Sequence, residues 1–432
     1  MTQIPKKQKY WNRLNNKISA MRKIICICLF LLCGCAASVQ SRLDNIQNDF
    51  SHGQFEFENA PISEPEKQNN LELLINGTAL FHKNKFKDSD SMFEEFNKRN
   101  LSSTDSSITR ETAGLLFGQG VNSYKPYMMD SLFVSYYQIW DLLAMQDFEN
   151  ARVVINQSYN RQQDMSIAYK KLIEENKDKI KSENAELRNI IDANTADWLA
   201  FNDIMNPALM YLSGIYFLIT GDYENATIYL KRVSGMVPDN TFIKQDLELA
   251  QQRKKPNNII WTFTETGFAP RLQERNAGLF LPPIGMIYFS FSEPIFGNKS
   301  VKPQNAQMLA NVDAMFITEY GEYRTNEILR SYTSAVSKAT LQATMYNSHS
   351  SSAPLMGILS SIYTVSSSNT DVRTWATLPQ YIYVSRIENT KSNLNNLDVN
   401  DTIKSELKAG GNNLLYVRTA PNTIDTKVIK LK

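Results

Sequence analysis

The four cysteines of this 432-residue chain all lie between Cys26 and Cys35, behind a basic leader segment. The run from Ile24 to Cys33 is apolar throughout, and its ten residues are too few to cross a bilayer as a helix, which needs about 20. Seven basic residues and no acidic residue precede this run. A basic segment followed by a short apolar run is typical of a secretory signal peptide. The residues after this leader must therefore build the fold.

The letters LCGC, residues 32–35 at the end of this run, resemble the bacterial lipobox. In that motif the last cysteine receives a diacylglycerol and the signal peptide is cut before it. The resemblance implies a lipoprotein signal peptide over residues 1–34 and a membrane anchor on Cys35, whose two or three acyl chains give lasting attachment. Ala36 resembles the sorting residue of enteric lipoproteins and implies the periplasmic face of the outer membrane. A start at Met21 would give a shorter signal.

A cytosolic chain with a zinc or redox cluster is the alternative interpretation of these cysteines. It needs polar groups around the ligands, and an unbroken apolar run offers none. Removal of residues 1–34 leaves a chain without a free thiol, which excludes disulfides, cysteine catalysis and cysteine-bound zinc. The formal charge changes from +2 to −5, because seven basic residues leave with the signal and no acidic ones. A mildly acidic chain argues against nucleic-acid binding.

Composition divides the rest of the chain into three parts. Residues 35–68 are polar and end in SEPEKQNN, which predicts a flexible tether. Residues 69–254 show apolar positions at spacings of three and four, which predicts helices. Residues 255–432 contain segments such as NNIIWTFTETGFAP, QYIYVSRI and NLLYVRTA, which are typical of strands. The predicted fold class is α+β, with a helical domain followed by a smaller α+β domain with an antiparallel sheet.

The helical part contains a spaced pattern of small and large residues that is typical of tetratricopeptide repeats. Small residues let two helices cross closely, and large ones fill the remaining space. The best copy places Gly214, Phe217, Ala226 and Leu230 at the expected offsets. One weaker copy holds Gly77, Leu80, Ser89 and Phe93. A second holds Leu142, Ala151 and Ile155, but Ile139 stands at its first small position. The pattern predicts a tetratricopeptide-like helical array.

A highly charged segment, residues 162–194, interrupts this array. It predicts a long amphipathic helix with a solvated face. A coiled-coil partner face is the alternative, although the run is short for one.

Several phrases occur in an order that resembles a family of uncharacterised Gram-negative outer-membrane lipoproteins with a tetratricopeptide-like N-terminal half. They include FGQGVNSYKPYMMDSLFVSYYQIWDLLAMQDFENARV, FTETGFAPRLQE, LANVDAMFITEY and DVRTWATLPQYIYVSR, and the resemblance covers residues 70–419. Members of that family are sometimes encoded near lipoproteins that activate peptidoglycan synthases. The resemblance therefore implies a partner in the cell-wall synthesis machinery. The middle repeat departs from the family pattern, since only Arg152 stands where relatives carry several arginines.

The sequence shows no constellation of residues for catalysis. His52, His82 and His349 have no histidine or carboxylate at ligand spacing, which argues against a metal site or a catalytic triad. The glycine-rich FGQGVN lacks the lysine and the preceding strand of a phosphate-binding loop. We therefore expect no cofactor, no metal, no catalytic residue and no enzymatic activity.

Two groups of residues are candidates for binding. The first lies in DVRTWATLP, where Asp371, Arg373 and Trp375 alternate along a predicted strand; Glu265 and Arg271 are expected to join them across the sheet. A structural ion pair capped by the tryptophan and a site for an anionic ligand are the two interpretations. The second group is formed by tyrosines on the repeat helices, with core packing as the alternative role: Tyr136, Tyr137, Tyr211 and Tyr216.

Two functions follow from these features. The first is a lipid-anchored scaffold that binds a protein or peptide partner of the cell envelope through its helical repeats. The alternative is an envelope binding protein for a small ligand or glycan that uses the C-terminal domain.

Overall fold

The computed structural model describes residues 34–55, 64–100, 124–183, 185–195, 205–282, 284–346, 370–395, 397, 399–407 and 411–431. The predicted signal peptide up to Cys33, the FGQGVN loop and His349 lie outside these described residues. Within the described part of the chain, no helix is long and apolar enough to cross a membrane.

The described residues form helices and strands together, which confirms the α+β class. The helices are α1 Gly34–Ser51, α2 Asn70–His82, α3 Phe86–Asn100, α4 Met128–Ala144, α5 Phe148–Lys181, α6 Ala185–Thr195, α7 Pro207–Thr220, α8 Tyr223–Met236, α9 Thr241–Gln251, α10 Val312–Tyr346, α11 Lys391–Asn395 and α12 Asp401–Glu406. The strands are β1 Ile259–Thr266, β2 Arg271–Leu281, β3 Gly285–Ile295, β4 Gln307–Asn311, β5 Tyr381–Glu388, β6 Asn413–Ala420 and β7 Thr423–Lys430.

Five strands form one sheet in the order β4-β5-β1-β6-β7. Strand β1 pairs antiparallel with β5 and parallel with β6, so that Phe263 faces Val384 on one side and Tyr416 on the other. The predicted antiparallel sheet was therefore wrong in one respect, because the sheet is mixed. The long connection between β1 and β6 brings the chain back to the end at which β1 starts, and β6 therefore runs in the same direction.

The chain divides into two compact units. The larger unit contains residues 44–272, 294–327 and 373–432, and it includes both the helices before residue 255 and the five-stranded sheet after it. The smaller unit contains residues 1–43, 273–293 and 328–372. The described units therefore do not divide at the predicted boundary between residues 254 and 255.

The smaller unit contains most of the β2–β3 hairpin. In its core Phe289 meets Tyr332 edge to face, with ring centroids 6.0 Å apart. On the outer side Met286 and Tyr288 are exposed and lie over Gly278, where a Cβ would come within 3.1 Å of the Tyr288 ring. The glycine thus makes room for two large side chains on the surface of the hairpin.

Helices α2 to α8 contain three helical hairpins with short turns: α2 with α3, α4 with α5, and α7 with α8. Two of these hairpins have turns of similar sequence, QDFENA between α4 and α5 and GDYENA between α7 and α8. Asp147 and Asp222 cap the second helix of each hairpin by accepting hydrogen bonds from the backbone N–H groups of Asn150 and Asn225. A carboxylate at this position satisfies an unpaired N–H group and favours the helix dipole.

Glycines allow the paired helices to approach closely in two of these hairpins. A Cβ on Gly77 would lie 2.6 Å from the ring of Phe93, and one on Gly214 would lie 2.8 Å from the side chain of Leu230. Each glycine thus faces a large residue sixteen positions later. This is the contact that the small and large pattern predicts.

The predicted tether over residues 35–68 is wrong for its first part, because α1 extends to Ser51 and its residues 44–51 belong to the larger unit. Ile46 and Phe50 are buried, and the side-chain amide of Gln47 donates to the carbonyl oxygen of Ala376 over 2.9 Å. The backbone N–H of Asn422 donates to the carbonyl oxygen of Ser51 over 3.2 Å. Apolar residues spaced three and four apart within a polar segment gave the helix its buried face.

The charged segment from residue 162 forms the second half of α5, and a break near Ser182 separates it from α6. The hydroxyl group of Tyr169 donates to the carbonyl oxygen of Thr318 over 2.7 Å, and Asn176 donates to the carboxylate of Glu322 over the same distance. This face of α5 therefore packs on α10 of the same chain.

Candidate functional site

The five-stranded sheet lies against the inner faces of the helical hairpins. Trp140 of α4 meets Phe263 of β1 edge to face at 5.3 Å between ring centroids, and Phe81 of α2 meets Tyr416 of β6 at 4.9 Å. Aromatic pairs in this geometry stabilise a contact beyond the area that they bury. The faces of α2 and α4 that hold Phe81 and Trp140 are thus covered by strands of the same chain.

A buried carboxylate, Glu265 of β1, joins helix and sheet at the centre of this interface. It accepts hydrogen bonds from the hydroxyl groups of Tyr137 and Tyr416 at 3.0 and 2.8 Å. The guanidinium of Arg418 lies 3.1 Å away. Burial raises the pKa of Glu265, and Arg418 and the two hydroxyl groups oppose that shift. These hydrogen bonds and this ion pair indicate that Glu265 has a structural role between helix and sheet.

Asp246 of α9 forms a second cluster of the same kind. It accepts hydrogen bonds from the hydroxyl group of Tyr211 and the indole N–H of Trp261, both at 2.7 Å. The guanidinium of Arg386 lies 2.8 Å from its other oxygen. Each cluster thus joins one helix tyrosine, one buried acid and one arginine of the sheet.

The four tyrosines predicted as contacts for a partner are buried. Tyr136, Tyr137 and Tyr211 are 0% exposed, and Tyr216 is 3% exposed with its hydroxyl group donating to the carbonyl oxygen of Phe148. The prediction of a partner surface at these residues is wrong, and the alternative, core packing, describes them. A tyrosine at helical spacing carries no local sign of whether a sheet will cover it.

The predicted cluster around DVRTWATLP also differs from the structure. The segment is not a strand: Asp371 is exposed, Arg373 is half-buried, and Trp375 is buried and donates to the hydroxyl group of Thr78 over 2.9 Å.

The two residues expected to join this segment have other partners. Arg271 forms an ion pair with Asp44, and Glu265 pairs with Arg418. Glu265, Arg271 and Trp375 therefore have separate structural partners and do not form one binding site.

His82 has a role that the sequence did not show. The imidazole Nδ1 lies 2.7 Å from Asp425, and its ring stacks on Phe55 with centroids 5.0 Å apart. The ammonium group of Lys427 lies 2.9 Å from the same carboxylate. Burial lowers the pKa of His82 to about 4, although Asp425 opposes the shift. The described residues contain no group of side chains that could hold a metal ion.

The larger unit also contains a cavity of about 670 Å³, within the range of about 300–1,000 Å³ that is usual for small-molecule sites. Its walls are the N-terminal ends of α4 and α7, the C-terminal end of α8, strand β4 and the start of α10. Most of its lining surface is apolar.

Methionine dominates the lining. Of the fifteen methionines in the chain, five line this one cavity. Methionine has a flexible, polarisable side chain that fills irregular space and adapts to different partners. The five residues come from separate elements or loops: Met129, Met205, Met236, Met308 and Met315.

Polar contacts hold the walls of the cavity in place. The carboxylate of Glu319 in α10 accepts hydrogen bonds from the backbone N–H groups of Met128 and Met129 at the start of α4. Asn206 caps α7, and Asn240 both caps α9 and donates to the carbonyl oxygen of Met308 over 3.2 Å. Because satisfied helix ends are stable, these contacts give the cavity a fixed shape.

Three charged residues lie in the lining, namely Arg232, Lys302 and Asp239. The guanidinium of Arg232 stacks on Tyr159 at 5.1 Å from the ring centroid. Its Nη1 atom is buried and has no hydrogen-bond partner among the described residues. Lys302 and Asp239 are exposed. The sequence did not predict this cavity, because its residues are far apart in the chain and no local pattern joins them.

Comparisons with protein-family models, with curated proteins and with solved structures returned no match to this chain. The geometry of its own residues is therefore the basis for a functional proposal.

Proposed function

We propose that this protein is a lipid-anchored binding protein of the bacterial cell envelope that holds an apolar ligand in the methionine-lined cavity. The observation that carries the proposal is the cavity itself, which has about 670 Å³ of space and five methionines in its wall. A cavity with few polar groups on fixed walls is the usual form of a ligand site. The proposal assigns no catalytic residue, metal or cofactor.

The membrane anchor on Cys35 and the position at the periplasmic face of the outer membrane are part of the same proposal. They are supported by the basic leader, the apolar run and the LCGC motif. A lipid anchor would keep a binding protein beside the membrane that supplies or receives an apolar ligand.

We also propose that the helical hairpins are tetratricopeptide-like repeats. The close contacts of Gly77 with Phe93 and of Gly214 with Leu230 support this proposal. In this chain, however, strand β1 packs on the face that holds Tyr137 and Tyr211. A scaffold for the cell-wall synthesis machinery, the other function predicted from the sequence, would need a different surface.

The proposal is tested with N-phenyl-1-naphthylamine, a neutral apolar probe that fluoresces when it leaves water. We expect the mature protein to bind one probe molecule per chain. Met236→Glu, which places a charge in the apolar lining at the end of α8, should weaken binding about tenfold or more.

Met145→Glu is the matched control, because Met145 is partly exposed and is not part of the cavity lining. This variant should bind the probe like the wild type. Equal binding by both variants, or no saturable binding by the wild type, would contradict the proposed function.

A further inference from the structure

We infer that the ligand is a single-chain lipid with an anionic head group, whose head pairs with Arg232 and whose acyl chain lies among the methionines. This inference rests on the proposed function and adds the chemical class of the ligand. It depends on the charges in the cavity lining, which the proposed function does not use.

The strongest sign of an anionic partner is Arg232. Arg232 lines the cavity, its guanidinium is held against the ring of Tyr159, and the buried Nη1 atom has no hydrogen-bond partner among the described residues. Arginine keeps its charge at all physiological pH values, so it cannot avoid this cost by losing a proton. A carboxylate or phosphate oxygen in the cavity would satisfy the free N–H group and form a charge-assisted hydrogen bond.

The other charged residues of the lining also favour a negatively charged ligand. Lys302 is exposed and forms no ion pair within 4 Å among the described residues, and Asp239 is the single acidic residue of the described lining. The lining therefore carries one more positive than negative charge. An anion would gain from Arg232 directly and from Lys302 at longer range.

The rest of the wall indicates an apolar chain. Besides the methionines, the apolar part of the wall is formed by Pro207, Val237, Leu309 and Ala310. Four polar residues also line the cavity, and their side chains already form hydrogen bonds within the chain: Asn240, Gln307, Asn311 and Thr318. Each methylene group buried in such a site should raise the affinity about fourfold.

A peptide that pairs with β4 is the competing occupant, because β4 is an edge strand of the sheet. Two features disfavour it. Strand β4 has only five residues with a shift of register between Met308 and Ala310, and the carbonyl oxygen of Met308 already accepts a hydrogen bond from Asn240. A bulged, partly covered edge is a poor template for another strand.

The test measures displacement of the naphthylamine probe from the mature protein by tetradecanoate and by its methyl ester. We expect the acid to bind at least tenfold more tightly than the ester, and binding to strengthen about fourfold per methylene from decanoate to tetradecanoate. Arg232→Gln should remove the preference for the acid and leave ester binding within about twofold. Arg232→Lys should keep part of it.

Arg253→Gln is the matched control, since Arg253 is exposed and pairs with Glu224 away from the cavity. Equal binding of acid and ester by the wild type would overturn the inference and leave the proposed function standing. The same holds if an extended apolar hexapeptide displaces the probe and tetradecanoate does not. If neither lipid displaces a bound probe and Met236→Glu has no effect, the proposed function fails as well.

Discussion

The hydroxyl group of Tyr137 donates a 3.0 Å hydrogen bond to the buried carboxylate of Glu265, and this contact joins helix α4 to the central strand β1. Tyr136 beside it is equally buried, and its hydroxyl group lies close to Trp140 and Glu265 without forming a hydrogen bond of normal geometry among the described residues. The two neighbours therefore make a matched pair for testing the helix–sheet interface.

Tyr137→Phe should lower the free energy of unfolding by about 1.5–3 kcal/mol, because it removes a hydrogen bond to a charged group. Tyr136→Phe should cost less, no more than about 1 kcal/mol, because its hydroxyl group lies near Glu265 but forms no hydrogen bond of normal geometry. Urea denaturation of the two variants measures both effects. Equal losses in the two variants would show that the Tyr137 contact does not stabilise the interface.

Arg418→Met should destabilise the protein by about 3–5 kcal/mol, since it leaves Glu265 charged, buried and without a cation. The double variant Glu265→Leu/Arg418→Met should recover a large part of this loss, because no uncompensated charge remains. Arg253→Met breaks an exposed pair with Glu224 and should cost no more than about 1 kcal/mol. Urea midpoints compare the stabilities of Arg418→Met, the double variant and Arg253→Met. A double variant no more stable than Arg418→Met would contradict the role given to Glu265.

Acid should destabilise the fold through His82. Burial lowers the pKa of His82 from 6.5 to about 4, so the folded state binds this proton more weakly than the unfolded state does. The stability from the neutral imidazole is fully present above pH 6.5 and is lost as the pH falls towards 4, by about 3 kcal/mol in total.

Thermal unfolding of wild type and His82→Gln between pH 7 and 4 measures this loss. The variant should lose less stability over the interval, because glutamine does not titrate. His52→Gln is the matched control for the loss of an imidazole, since His52 is exposed and directly follows α1. Parallel profiles for wild type and His82→Gln would rule out His82 as the titrating group.

Two glycines of the same helical hairpin should respond in opposite directions to alanine. Gly214→Ala places a Cβ 2.8 Å from the side chain of Leu230 and should cost about 1–3 kcal/mol. Gly235→Ala meets no atom within 4 Å and should stabilise α8 by up to about 1 kcal/mol. Circular dichroism melting curves compare the two. Destabilisation by both would mean that close packing at Gly214 is not the cause.

The lipid anchor is tested by Cys35→Ala with Cys33→Ala as the matched control. Cys35→Ala should abolish incorporation of radioactive palmitate and release the protein from the membrane fraction, because the thiol that carries the lipid is gone. Cys33→Ala should keep both properties. Palmitate labelling of Cys35→Ala at the wild-type level would contradict the lipobox interpretation.

Local patterns predicted the helices of residues 69–254 and the strands β1, β5 and β6, because each depends on residues that are close in sequence. They missed helix α1 and wrongly predicted a strand at DVRTWATLP. Gly214 and Leu230 are an example, since one helical hairpin determines their contact. The parallel pairing of β1 with β6 and the burial of Tyr211 depend on residues that come much later in the chain. The cavity could not be predicted for the same reason: Met129, Met236 and Met315 are joined by no local pattern.

Contacts between early and late segments of the chain have a consequence for its synthesis and export. His52 at the end of α1 lies 3.1 Å from Asn422, and these residues are 370 positions apart in sequence. Both neighbours of strand β1 in the sheet, β5 and β6, are synthesised more than 100 residues after it. Contacts of such high order form late and slowly. The larger unit can therefore close only when nearly the whole chain has left the ribosome, and a chain delivered across a membrane would still be unfolded during most of its passage.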